Sequence, residues 1–344
     1  MSKKIVVLGE LVKGYPSNVT REMLGGGREL ADKANGRLGL LLLGDKLELA
    51  AEEAIACGAD DVYLAENPQL GTYQADTYLQ IIEKAVKDVE PEILLMGQTS
   101  IGRDLAPRLA FRLGTGLCMD CVRLDIEPTS SLVRMTRPVY GCKAMAVMIC
   151  KTKPQMASIR PGAMKSAEQD RSRKGRMHAL ATDIDMSQIR VKVTAKVEER
   201  MDSVSLEDAK VIVCGGRGMG SSDSFSVLED LARLLGGAVG ASRPPCDAGW
   251  ISSTRQIGLT GKIVSPNLYI AVAVSGSSQH MAGCAESHTI VAINKDPQAN
   301  IFAMAHYGVV GDYREILPPF IRRSREILEG KGGRDAIRAK GLYV

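Results

Sequence analysis

The chain has 344 residues, 45% apolar and 24% charged, with a formal net charge of +4. Such a composition suits a globular protein with room for two ordinary cores and excludes a collagenous or low-complexity chain. The positive excess is small and dispersed, and only 4% of residues are aromatic, which argues against nucleic-acid binding and base stacking.

The opening MSKKIVVLGE has too short an apolar run for a signal peptide and leads straight into a strand pattern. The longest apolar run, LGLLLLG at 38–44, is far below spanning length. No membrane span is expected, and a soluble cytoplasmic protein is. The eight cysteines form no disulfide-like framework, so reduced, buried thiols are expected. Cys118 and Cys121 make a C-x-x-C, but a metal site needs further ligands at suitable spacing, and none is near. No metal is expected.

In chain order, KIVVLG at 4–9 reads as a buried strand. A helix over 21–35 contains Gly25–Gly26–Gly27, which costs helix stability and implies close approach of backbone or a partner. A second strand spans 38–43, a helix spans 46–57 with Gly58 as its C-cap, and DVYLAE at 61–66 is a third strand. A helix over 74–89, strand EILLMG at 92–97 and a helix over 101–113 follow. Apolar strands alternating with helices predict a parallel sheet covered on both faces. Gln98, Thr99 and Ser100 stand where a ligand sits in such sheets, but helix N-capping by Thr99 or Ser100 is the favoured reading.

From residue 117 the pattern changes. CVRLDIE, SLVRMTRP, KAMAVMIC and QMASIRP read as successive strands that add an antiparallel part to the sheet. Arg160 either anchors a turn or faces a partner. EQDRSRKGR at 168–176 reads as a solvated loop. RVKVTAKVEER at 190–200 alternates like a strand, and a linker is expected near 200–208. The domain boundaries follow as 1–200, 201–325 and a C-terminal tail at 326–344.

The second domain opens with AKVIVCGGRGMG at 209–220, a strand running into glycines and then an amphipathic helix. That order suits phosphate binding, although the spacing matches neither dinucleotide fingerprint nor P-loop. Further on, SR…DAGW, QIG-x-TGK, LYIA…SG-x-x-QH-x-AG, IVAINKD and YGVVGD follow one another between Ser242 and Asp312. Their small and polar residues gather at strand ends, as in a segment that wraps a large polar ligand.

These five linked motifs resemble the C-terminal domain of the electron transfer flavoprotein alpha subunit, and the alternating α/β N-terminal half fits the same family. The resemblance implies an α/β fold: an open, mostly parallel N-terminal sheet with added antiparallel strands, and a doubly wound FAD-binding domain. It implies FAD as cofactor and an electron carrier more than a substrate-converting enzyme. A beta subunit is the implied obligatory partner, and the implied task is to carry electrons between an acyl-CoA dehydrogenase-type flavoenzyme and another redox partner. Ferredoxin and NADH join the partners in a bifurcating variant.

The resemblance also assigns residues. Arg217 contacts the FAD, and Ser242 and Arg243 border the flavin ring with the arginine over its face. The Thr260 hydroxyl faces flavin N5, with Gln256 and Gly261 in the same loop. Ser275 and Gln279 lie in the loop and short helix beside the cofactor, and His280 donates toward the flavin C2 carbonyl. Asn294 bonds the ribityl or phosphate part, and Asp312 the adenosine side. Leu259 departs from the glutamine often found before this threonine, and Cys246 stands where the family has a small apolar residue. His178, His288 and His306 are read as surface or core residues. The alternative is a nucleotide-binding enzyme or regulatory module on a deacylase-like α/β fold.

Overall fold

Leu38, Leu40 and Leu42 point to one side of their strand and Leu41 and Leu43 to the other, and all five are buried. A strand alternates its side chains between two faces, so this run lies in a sheet covered on both sides. The computed structural model describes residues 3–140, 142, 144–191, 193–195 and 205–329. The chain divides into two compact units, residues 1–198 and 199–344.

In the first unit, β1 (Lys4–Leu8) leads through a two-residue ribbon, β2 (Leu11–Val12) and β3 (Tyr15–Pro16), into α1 (Asn18–Lys33). Then come β4 (Arg37–Gly44), α2 (Glu48–Ala56), β5 (Asp61–Glu66), α3 (Ala75–Val89), β6 (Ile93–Gly97) and α4 (Ser100–Leu113). The Ser17 hydroxyl caps α1 by accepting from Thr20 N, and the Thr99 hydroxyl caps α4 by accepting from Gly102 N. Helices α1 and α2 bury their apolar stripes on the face of Leu38, Leu40 and Leu42; α3 and α4 bury theirs on the opposite face. The glycine run of α1 has its cause: a Cβ on Gly25 would stand 2.2 Å from the Lys165 carbonyl oxygen, so the 164–166 segment crosses the helix backbone directly.

The stretch after residue 117 departs from the expected antiparallel extension. β7 (Leu117–Cys121) and β11 (Gln155–Ile159) join the parallel sheet, giving the order β12-β5-β4-β1-β6-β11-β7. β8 (Arg123–Ile126), β9 (Val133–Val139) and β10 (Ala144–Ile149) form a separate three-stranded antiparallel sheet. Gln155 and its neighbours are buried throughout β11, the signature of a central rather than an edge strand, and this outweighs nearness in sequence to the hairpin. The charged loop ends in β12 (Arg176–Ala179), which pairs parallel to β5. Arg190, Val191 and Val193–Ala195 are not in a strand, so the strand expected over 190–200 is absent from its described residues. Part of the expected linker, 200–204, lies outside the described residues, as do residues 330–344 of the tail.

In the second unit, β13 (Val211–Gly215), α5 (Ser226–Leu234), β14 (Ala238–Ala241), α6 (Arg243–Asp247), β15 (Leu268–Val272), α7 (Ser278–Met281), β16 (Thr289–Asn294), β17 (Tyr307–Val310) and α8 (Tyr313–Glu329) follow in order. The last helix continues past residue 325, the expected end of the domain. The five strands are parallel in the order β14-β13-β15-β16-β17. The two faces are covered differently. Val213, Ile270 and Val272 pack against α5 and α8. Ile212, Tyr269 and Ala271 pack against Leu206, Ile257, Val264, Met281 and Ile301, which belong to loops, short turns and the one-turn helix α7. Loops carry backbone groups that still need partners, and this second face accordingly contains buried polar side chains. No helix among the described residues is long and apolar enough to cross a membrane.

Candidate functional site

In strand order 2-1-3-4-5, two neighbouring parallel strands send their chains to opposite sides, and a crevice opens beyond their carboxyl ends. Here that switch lies between β13 and β15. The backbones are in close contact there: a Cβ on Gly216 would stand 2.1 Å from the Ala273 carbonyl oxygen. Ala273 itself has φ +53, a left-handed conformation that costs about 1 kcal/mol or more for a residue with a Cβ.

All eleven predicted residues gather at this carboxyl edge. Arg217 follows β13 and is exposed, with no side-chain partner among the described residues. Ser242 caps the carboxyl end of β14 and donates its N–H to the Gly215 carbonyl at 3.0 Å. The next residue, Arg243, is exposed and pairs with Asp247 at 3.1 Å, four residues on along α6. Ser275 is exposed beyond β15, and its carbonyl accepts from Ile301 N at 3.1 Å. Asn294 ends β16, its amide donating to the Val274 carbonyl at 2.8 Å and its oxygen accepting from Asp296 N at 3.0 Å. Asp312 follows β17 and accepts from Arg314 N at 2.9 Å. Asn294, Lys295, Gly218, Gly311, Asp312 and Arg314 line a small cleft at this end of the sheet.

The QIG-x-TGK loop joins the same edge. Ile257 N donates to the Ala241 carbonyl at 2.8 Å, and Leu259 N to the Gln279 carbonyl at 2.7 Å. Gln256 Nε2 donates to Thr260 Oγ1 at 2.9 Å, and Thr260 is exposed. Because that oxygen accepts from Gln256, the threonine O–H is left to donate elsewhere. Gly258, at φ +146, and Gly283 touch backbone to backbone: a Cβ on Gly283 would stand 2.4 Å from Gly258 N. Gly261 is held the same way, under the Gln256 carbonyl oxygen.

His280 differs from its expected role. Its ring is buried, with Nδ1 3.1 Å from the Ile257 carbonyl oxygen and Nε2 3.0 Å from the Tyr269 hydroxyl. Burial drives its pKa down to about 4, only partly offset by the Ile257 carbonyl, so the ring is neutral at pH 7. A neutral imidazole has one donor and one acceptor, and both are spent inside the protein. In this arrangement the ring bridges β15 to the loop and has no donor left for a cofactor carbonyl. Tyr269, which supplies the other end of the bridge, carried no motif signal of its own. The one clue in sequence is a phenol in an otherwise aliphatic buried strand, which must find a partner.

Other candidates resolve as structure. Thr99 caps α4 and donates to Glu10 Oε1 at 2.6 Å. Cys118 and Cys121 are free, buried thiols, the second donating to the Cys118 carbonyl at 3.4 Å. Cys246 is half-buried against the α5–α8 core and donates to the Ser252 carbonyl at 3.7 Å. A cleft of about 680 Å³ in the first unit, between α2 and the 169–175 loop, is lined by charges of both signs and contains none of the eleven residues. Among the described residues no cluster of three or more His, Cys, Asp or Glu is placed to hold a metal.

Residues 5–185 match the model of the electron transfer flavoprotein domain, and residues 205–285 match that of the electron transfer flavoprotein FAD-binding domain. The chain belongs to the electron transfer flavoprotein alpha-subunit family. Electron transfer flavoprotein subunit alpha of Thermoanaerobacterium thermosaccharolyticum is 46% identical over 94% of this chain and 98% of its own. Protein FixB of Clostridium saccharobutylicum is 40% identical over 96% of this chain and 98% of its own. A protein of Anaerotignum propionicum, acryloyl-CoA reductase electron transfer subunit beta, is 37% identical over 94% of this chain and 96% of its own.

The cofactor of this family's FAD-binding domain, and of this chain, is FAD. The carboxyl edge of the second sheet suits such a dinucleotide on its own chemistry. It offers the exposed cations Arg217 and Arg243, the hydroxyls of Thr260 and Ser275, the exposed side-chain amide of Gln279, whose oxygen accepts from the Ser278 hydroxyl, and a carboxylate at Asp312. Nine of the eleven residues fall within the matched 205–285 segment; Asn294 and Asp312 lie beyond it.

Proposed function

We propose that this chain is the alpha subunit of a heterodimeric electron transfer flavoprotein that carries electrons between an acyl-CoA dehydrogenase-type flavoenzyme and a second redox partner. The observation that supports this most directly is the convergence of the eleven residues at one carboxyl edge, around the β13–β15 switch. Bound FAD supplies the reversible electron chemistry. The protein's part is to hold it and set its surroundings. Arg217 and Arg243 bring fixed positive charge to an exposed edge, which favours anionic groups there. Gln256 orients Thr260 so that its O–H points away from the loop as a donor. Ser275 and Gln279 offer side-chain contacts, with Asn294 and Asp312 completing the far end.

A beta subunit is the proposed partner. In its support, among the described residues β10 is an edge strand, and its Met145, Val147, Met148 and Ile149 are all more than 40% exposed. Bare apolar edge strands are rarely left to water. The acyl-CoA side of the reading rests on analogy with the acryloyl-CoA reductase subunit. A bifurcating complex, with NADH and ferredoxin as further partners, is the finer form of the same reading, and a cytoplasmic location goes with either.

The test is to co-express the full chain with a family beta subunit and count flavins released per complex. One FAD is expected for a simple carrier and two for the bifurcating form. A stable complex with no flavin overturns the proposal.

A further inference from the structure

The buried face of the second unit carries a polar chain that the cofactor contacts do not explain. It runs from Tyr269 on β15 through the His280 ring on α7 to the Ile257 carbonyl in the QIG-x-TGK loop. Tyr269 is fully buried and His280 is 5% exposed.

The direction of this chain is fixed by elementary bonding. The Ile257 carbonyl only accepts, so the proton of the neutral ring must be on Nδ1. Nε2 is then a bare lone pair, and the Tyr269 hydroxyl at 3.0 Å, nearer and a stronger donor than the Cys214 thiol at 4.0 Å, donates to it. The other tautomer would set the Nδ1 lone pair against a carbonyl lone pair and leave a buried carbonyl unpaired, which is unfavourable. Burial pushes the Tyr269 phenol well above its ordinary pKa, so the donor stays protonated. Cys214 and Cys284, both buried thiols, are the other ionisable groups that face the phenol.

The loop end of the chain matters because Thr260 hangs from it. The loop is pinned at Ile257 by His280 and at Leu259 by the Gln279 carbonyl. Two consecutive residues of α7 therefore fix the two residues that flank Gly258. Tyr269 sets the ring that sets one of those pins.

We infer that Tyr269 is a positioning residue for the flavin site: by donating to His280 Nε2 it fixes the ring as the Nδ1–H tautomer, and through Ile257 it holds the Thr260 loop in register with the sheet edge. This rests on the reading of the carboxyl edge as the FAD site, and it adds a residue that makes no contact with that edge.

The test uses the full chain, 15N-labelled and in complex with a family beta subunit, with and without FAD. In the wild type at pH 7, the His280 15N signals should show a protonated Nδ1 and a hydrogen-bonded, unprotonated Nε2. Tyr269→Phe removes only the hydroxyl. It should shift the Nε2 signal or admit the second tautomer, speed amide exchange at Leu259 and Gly261 about tenfold, and raise the Kd for FAD about tenfold, while Ile270 and Val272 in β15 exchange as before. A wild-type ring protonated on Nε2 overturns the inference even if the variant does not fold. So does a folded variant in which Leu259 and Gly261 exchange at the wild-type rate, or one whose loop loosens with no change in Kd. A wild-type complex that binds no FAD would instead overturn the cofactor-site reading, while the tautomer and exchange results are read equally without FAD.

Discussion

Arg160 grips both carboxylate oxygens of Asp120, Nε to Oδ1 at 2.8 Å and a terminal nitrogen to Oδ2 at 2.6 Å, with the arginine side chain 2% exposed. Asp120 sits at φ +65 in the bulge between Cys118 and Cys121, where the pairing of β7 with β11 shifts register. Arg160 thus anchors a turn within the first unit. Removing one partner of a buried pair leaves the other charge in a poor solvent, which typically costs about 3–5 kcal/mol. Asp120→Asn, which tolerates the positive φ, should therefore destabilise the first unit by about 3 kcal/mol. The measurement is amide exchange along β7 and β11; rates equal to wild type would mean that the pair contributes nothing.

Gly216 marks the switch point of the second sheet. Its missing Cβ lets the β13 turn lie on the Ala273 backbone, and the contact is to main chain, which cannot swing aside. Gly216→Ala should cost at least the 1–3 kcal/mol typical of overpacking and lower FAD affinity with it. Trp250, the single tryptophan, lies in the same unit against the α5–α8 core, and its fluorescence during urea unfolding would report the loss.

Arg243 separates binding from stability. Its ion pair with Asp247 is exposed on both sides, and such pairs contribute little. Arg243→Ala should leave the unfolding midpoint nearly unchanged and weaken FAD binding tenfold or more. A variant with wild-type FAD affinity would remove Arg243 from the site.

The two units should respond to pH with opposite sign. His280 has a folded pKa of about 4 against an ordinary 6.5, so the unfolded chain binds more protons between those values. Its contribution is present above pH 6.5 and is lost as pH falls toward 4, by up to about 3 kcal/mol. Glu10 is raised from 4.5 to about 7 by burial, opposed by the Thr99 hydroxyl. Its contribution is present below pH 4.5 and is lost as pH rises through 7, by less, since its carboxylate keeps some solvent. Trp250-monitored unfolding between pH 4 and 7 should show the first slope. Glu10→Gln should flatten the second, read by amide exchange in β1 and α4.

The local elements, and which residues would gather at the carboxyl edge of the second sheet, were legible in the sequence because both are written in short windows. A continuous apolar run locates β4 and a helical apolar period locates α3 wherever they pack, and QIG-x-TGK or YGVVGD names its residues without reference to their neighbours. What the sequence does not contain is who lies beside whom. β11 follows the antiparallel hairpin in the chain yet inserts between β6 and β7, because its five residues are buried on both faces and only a central position provides that. β12 emerges from a charged loop because β5 had a free edge for it to pair with. His280 stands inside a motif, but whether its ring faces a ligand or the core depends on Tyr269, eleven residues earlier on another element. Periodicity and motif determined the local elements and the family; long-range pairing, register and the sharing of buried hydrogen bonds were decided only by the tertiary structure, since each depends on groups that the chain brings together only when it folds.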